Sequence, residues 1–297
     1  MIRKIVEAIL AKVSKLTQRQ MVHHARSLVV PENVKEHLDM PYTNRKGNTL
    51  LMDVFEPTDT RQPELPLIIF IHGGGLVVGD KSMSRGFCHE LARRGFLVFA
   101  LSYELIPSVS VYDQFDDISA GMDAVGRKII DFEVNPFRIY LVAESAGAYL
   151  AIYTAALSQS RKMQEAIGHK PTNMRFKAMA LISGMFYTKN NDVVGRLLSK
   201  IIYRDTQQNK AMEPYLDPES KEVAAHLPPV MLITSEHDFL RRYSEKMVGI
   251  LWKYNVDNHY VYMGDDKRFK HAFPVFHPQD PDSQRVLDMI KQWFDKY

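Results

Sequence analysis

From Leu65 onward the chain alternates short β-forming runs with longer runs at helical spacing, and that alternation sharply limits the folds open to it. Leu65 to Ile71, Phe96 to Leu101, Arg138 to Val142, Phe176 to Ile182, Val230 to Thr234 and His259 to Met263 read as strands. Most are apolar on both faces, so both faces of the sheet need cover, and parallel neighbours need crossover connections. Helices are expected over Met83 to Arg94, closed by Gly95, over Tyr112 to Phe132, ended by Asn135-Pro136, from Ser145 onward, and over Asp282 to Lys296. Ahead of them Val34 to Tyr42 and Asn48 to Phe55, joined at Asn44-Arg45-Lys46-Gly47, read as an antiparallel edge. The pattern predicts an α/β fold with a mostly parallel central sheet and helices on both faces.

A chain of 297 residues with 45% hydrophobic content and no internal repeat is enough for one large core. That core is placed at residues 34–297. Residues 1–33 are expected to form an N-terminal helical segment, because Ile2, Ile5, Val6, Ile9, Leu10, Val13 and Leu16 recur at helical spacing with Arg3, Lys4, Lys12 and Lys15 off that stripe. The segment is expected to pack on the protein as part of a cap, with a weak membrane-surface contact through residues 1–18 as the rival reading. A second irregularity lies at about 187–226, too long for an ordinary connection. Its stripe of Val193, Val194, Leu197, Leu198, Ile201 and Ile202 predicts a helical cap insertion.

Net charge is only +3 and no dense Lys/Arg block appears, so nucleic acid is not an implied partner. Cys88 is the single cysteine, which excludes an internal disulfide framework and fits a reducing compartment. It reads as a buried apolar residue. No run has the length of a transmembrane helix or the core of a signal peptide, and a cytoplasmic location is the expectation.

Two short motifs sit where β-runs stop. His72-Gly73-Gly74-Gly75 follows Ile71, and Ala143-Glu144-Ser145-Ala146-Gly147 follows Val142. A serine between strand and helix is forced into a sharp turn that presents its hydroxyl above the sheet, and the residues two before and two after must be small. Ala143 and Gly147 meet that demand. The glycine run supplies backbone N–H groups for a developing oxyanion, with Gly73 and Gly74 as donors beside the Ala146 N–H. His72 is expected to shape the loop rather than act as a base. A phosphate loop is ruled out: Gly74 and Gly79 have the spacing, but Asp80 stands where lysine is required and Lys81-Ser82 come one residue late.

An acid and a base belong further along, on loops at strand C-terminal ends. Asp238, in Ser235-Glu236-His237-Asp238, is the acid, with Glu236 as competitor. His271, in Phe269-Lys270-His271-Ala272-Phe273, is the base, with His277 as its rival. The order Ser145, Asp238, His271, each after its own strand, lifts the assignment above that of three isolated polar residues.

With these residues in view, the chain resembles the hormone-sensitive-lipase-like branch of the α/β-hydrolases over roughly residues 48 to 297. The resemblance rests on His72-Gly73-Gly74-Gly75 with Gly79-Asp80, on Ser102-Tyr103-Glu104-Leu105-Ile106-Pro107, on Glu144-Ser145-Ala146-Gly147, and on the surroundings of Asp238 and His271. It implies ester hydrolysis without metal or cofactor, in a site under a cap partly built from the N-terminal segment. The family usually shows Gly-Asp-Ser-Ala-Gly-Gly, Tyr-Arg-Leu-Ala-Pro and His-Gly-Phe. This chain has Ala143, Glu144 and Ala148, then Glu104 and Ile106, then Ala272 at the differing places.

The expectation is a serine hydrolase acting on a small-molecule carboxylic ester through an acyl-enzyme. Amide, peptide or thioester hydrolysis by the same residues is the alternative. A non-catalytic ligand-binding protein, of the kind gibberellin receptors exemplify, is the rival from another class. Met185, Phe186, Tyr187, Tyr203 and Met212 permit an apolar acyl pocket and equally suit a core.

Overall fold

Eight strands form one sheet in the order β1-β2-β4-β3-β5-β6-β7-β8 in the computed structural model, which describes residues 28–45, 48–59, 64–168, 172–192, 195, 196, 199, 202, 203 and 207–297. The strands are β1 (Val34–Arg45), β2 (Asn48–Pro57), β3 (Leu65–Ile71), β4 (Leu97–Leu101), β5 (Val134–Glu144), β6 (Ala178–Ile182), β7 (Val230–Thr234) and β8 (Asn258–Tyr262). The β1–β2 and β2–β4 pairs are antiparallel and all the others are parallel. The predicted antiparallel edge and parallel body are both present.

Period-two alternation sorts the strand side chains into two cores. Leu67, Ile69 and Ile71 of β3, with Leu141 and Ala143 of β5, point into one cluster. Ile68, Phe70, Tyr140 and Val142 point into the other. The first face is covered by α2 (Val111–Lys128) and α3 (Ala146–Leu157), the second by α1 (Arg85–Arg93) and α9 (Pro281–Asp295). Every residue of α3 is buried, which explains why Ala-Gly-Ala-Tyr-Leu-Ala-Ile-Tyr carries no polar face. On the opposite side α9 contributes Val286, Leu287, Ile290 and Phe294, and Tyr140 donates its hydroxyl to the Phe294 carbonyl at 2.8 Å. Cys88 lies fully buried in this second core, where burial pushes its thiol up.

Several boundaries differ from the sequence expectation. β5 starts at Val134 rather than Arg138, and Pro136 lies inside it, where the β3–β5 register is irregular between Leu65 and Leu67. Proline is tolerated there because no ladder N–H is demanded of it. α2 is fixed at its start by Ser110, whose hydroxyl and backbone exchange bonds with Asp113 in a capping box. Further helices are α4 (Arg161–Ile167), α5 (Gln207–Met212), α6 (Lys221–Ala224), α7 (Arg241–Lys253) and α8 (Phe273–Phe276).

Residues 1–27, and so nearly all of the expected N-terminal helix, lie outside the described residues. So do Lys46 and Gly47 of the expected turn, and Val193, Val194, Leu197, Leu198 and Ile201 of the cap stripe. Ile202 is described and buried, as are Met185, Phe186, Tyr187 and Met212, all within the first core. Among the described residues no helix is long and apolar enough to cross a membrane.

Candidate active site

Ser145 joins β5 to α3 with φ +51° and ψ −117°. A non-glycine residue in such backbone costs about 1–3 kcal/mol and persists only where its surroundings over-determine it. Here they do. The Ser145 N–H donates to the Ile182 carbonyl at 2.9 Å, while its own carbonyl accepts from Met185 N at 2.9 Å and Ala148 N at 3.1 Å. The crossing is so close that a Cβ at Gly147 would lie 2.2 Å from the Ile71 carbonyl oxygen. This is the physical content of the small-residue requirement.

Asp238 and His271 come to the same point from the ends of β7 and β8. His271 Nε2 lies 2.9 Å from Ser145 Oγ, and His271 Nδ1 lies 2.8 Å from Asp238 Oδ1. Asp238 also accepts the Leu240 N–H at Oδ1 and the Thr234 hydroxyl at Oδ2, both at 2.9 Å. Burial alone would raise its pKa, but hydrogen bonds from His271, Ser183 and the Leu240 N–H, with the field of His271, hold it below the ordinary carboxylate value. The histidine loop is tied to the sheet by the Ala272 N–H, which donates to Ser183 Oγ at 2.9 Å. The competitors lie elsewhere. Glu236 is engaged by Arg241 and by the Tyr262 hydroxyl, and His277 packs on Phe273 with ring centroids 4.8 Å apart. Phe239, which no sequence pattern singled out, covers His271 at a ring distance of 4.3 Å and is 69% exposed.

The glycine loop is held from beneath. His72 is fully buried, stacks on Tyr103 at 4.4 Å and has Nδ1 2.8 Å from the Gly73 carbonyl oxygen. The Tyr103 hydroxyl donates to the carbonyls of His72 at 2.9 Å and Gly73 at 3.2 Å. Gly74 takes φ +100°, where a Cβ would meet the Val78 carbonyl at 1.9 Å. Downstream, the buried Lys81 ammonium bonds Asp39 at 2.7 Å and Asp53 at 3.0 Å, so it is a structural cation rather than a phosphate ligand.

One expected donor is corrected. The Gly73 N–H is already engaged: it donates to Oε1 of the buried Glu144 at 2.6 Å. Among the described residues, no acceptor takes the N–H groups of Gly74 or Gly75. Sequence spacing could not separate three consecutive glycine amides, because their directions depend on each φ and on a carboxylate seventy-one positions away.

A family model described as alpha/beta hydrolase fold matches residues 68–273, more than half of the chain. Among curated proteins, the chain is 27% identical over 210 residues to a probable isoprenylcysteine alpha-carbonyl methylesterase of Oryza sativa subsp. japonica, covering 67% of this chain and 50% of that protein. An isoprenylcysteine alpha-carbonyl methylesterase of Arabidopsis thaliana is 28% identical over 183 residues, covering 59% of this chain and 43% of that one. The chain thus spans about half the length, or less, of these relatives. Among solved structures, esterase B from Lactobacillus rhamnosis superimposes with a TM-score of 0.86 at 23% identity, covering 100% of this chain and 96% of the other. The likeness in fold extends well beyond the likeness in sequence. With a family match running from β3 through the histidine loop, the chain belongs to the alpha/beta hydrolase fold family.

Proposed function

We propose that this chain is a carboxylesterase that works through a Ser145 acyl-enzyme. The observation carrying the reading is the unbroken hydrogen-bond chain from Asp238 through His271 to Ser145 Oγ, ending on a strained strand-to-helix turn. In the first half-reaction His271 Nε2 takes the hydroxyl proton as Ser145 attacks the ester carbonyl, and Asp238 stabilises the imidazolium that forms. The negative charge on the carbonyl oxygen is met by the N–H groups of Gly74, Gly75 and Ala146, the last at the positive end of α3. The imidazolium then protonates the departing alcohol. In the second half-reaction water gives a proton to His271 as it attacks the acyl carbonyl, and the imidazolium returns that proton to Ser145 Oγ as the acyl–oxygen bond breaks and the acid leaves.

The names of the plant relatives and of esterase B support an ester as substrate, and a methyl ester is the first one to assay. Phe239, exposed beside the imidazole, supports an apolar group near the leaving alcohol. Ser145→Ala should lower turnover of a short p-nitrophenyl ester by roughly 10⁴–10⁶-fold, with an unchanged circular-dichroism spectrum. Wild-type protein should take a fluorophosphonate on Ser145. Undiminished turnover in the alanine variant would sink the reading.

A further inference from the structure

Glu144 stands directly before Ser145 and is 1% exposed, with no role in the proton transfers above. Burying a carboxylate is costly unless its bonds are well made. Burial pushes its pKa up, against the Gly73 N–H and the field of His271. Its carboxylate lies flat against Gly73: Oε1 accepts the amide at 2.6 Å, and a Cβ on Gly73 would come 2.4 Å from Oε2. The carbonyl of the same glycine is held by Tyr103 and His72. Gly73 is therefore fixed at both its N–H and its C=O, and the loop's free amides begin at the next residue.

We propose that Glu144 is a positioning residue: its acceptor oxygen locks Gly73, and this fixes the direction in which the Gly74 and Gly75 amides meet the oxyanion. The inference rests on the esterase reading. It assigns the residue before the nucleophile a task distinct from packing, since packing needs its volume and the lock needs its acceptor.

Two variants separate those demands. Glu144→Gln keeps both volume and acceptor, whereas Glu144→Met keeps volume alone. On a short p-nitrophenyl ester, Glu144→Met should lose about 100-fold in kcat, the scale of one lost oxyanion donor, with KM within about 3-fold of wild type. Glu144→Gln should recover kcat to within about 5-fold of wild type. If Glu144→Met does not fold, Glu144→Leu, which also keeps most of the volume without an acceptor, takes its place in the same comparison. Equal kcat in the Gln and Met variants, with wild type active, overturns the positioning role and leaves the esterase reading standing. Wild-type protein that neither turns over esters nor takes a fluorophosphonate on Ser145 overturns both.

Discussion

At the residue scale, the site depends on which atoms face which. Asp238 shows this well: its oxygens accept from His271, Leu240 and Thr234, and the contacts with His271, Ser183 and the Leu240 N–H outweigh burial in keeping it ionised. Asp238→Asn preserves the shape but disturbs the histidine tautomer, so kcat should fall about 10⁴-fold while the fold survives. The same group is linked to stability. Its folded pKa lies below the unfolded value, so its stabilisation is present above the unfolded carboxylate range and is lost as pH falls through the folded pKa. The gap in melting temperature between wild type and Asp238→Asn should therefore be widest at neutral pH and close on acidification. A gap that widens in acid would contradict the assigned direction. The meeting of Ser145, Asp238 and His271 at one point was legible in the sequence because each follows its own strand at the same end of the sheet. The Gly73–Glu144 contact was not, because nothing along the chain says which of three glycine amides a distant carboxylate will take.

At the element scale, the strands read best and the connections least well. The β3, β4, β6 and β7 runs are buried along their whole length, so periodicity and apolarity agree. β5 read short because Pro136 suggested a break, whereas a register irregularity accommodates the proline. The helix Arg241–Lys253 went unanticipated although Tyr243, Met247 and Leu251, four residues apart and all buried, carry a plain helical signal. The junction of β5, α3 and β3 is the most tightly constrained of these connections. Gly147→Val would drive side-chain atoms into the Ile71 and His72 carbonyls. We expect a loss of about 1–3 kcal/mol in chemical denaturation, accompanied by loss of ester turnover, since the Ser145 turn must move with the helix. A variant with wild-type stability and activity would show that the junction yields more readily than its distances imply.

At the scale of the whole molecule, the sheet divides the labour between its faces. The face under α2 and α3 carries the helix that follows Ser145, and the face under α1 and α9 supplies bulk cover. Ile290→Ala on α9 should thus lower stability by about 2–5 kcal/mol and leave kcat per folded molecule unchanged. A selective loss of kcat would mean that the far face reaches the site. This two-sided cover was legible from the apolar strands, whereas most of the expected cap stripe lies outside the described residues. The bond between Gly73 and Glu144 also has a consequence for recombining this chain with its relatives. Its two ends are far apart in sequence but act as one part, so a crossover placed between positions 73 and 144 pairs a loop from one parent with a carboxylate from the other. Chimeras with breakpoints before residue 72 or after residue 145 inherit the pair intact, and those are the ones to build first.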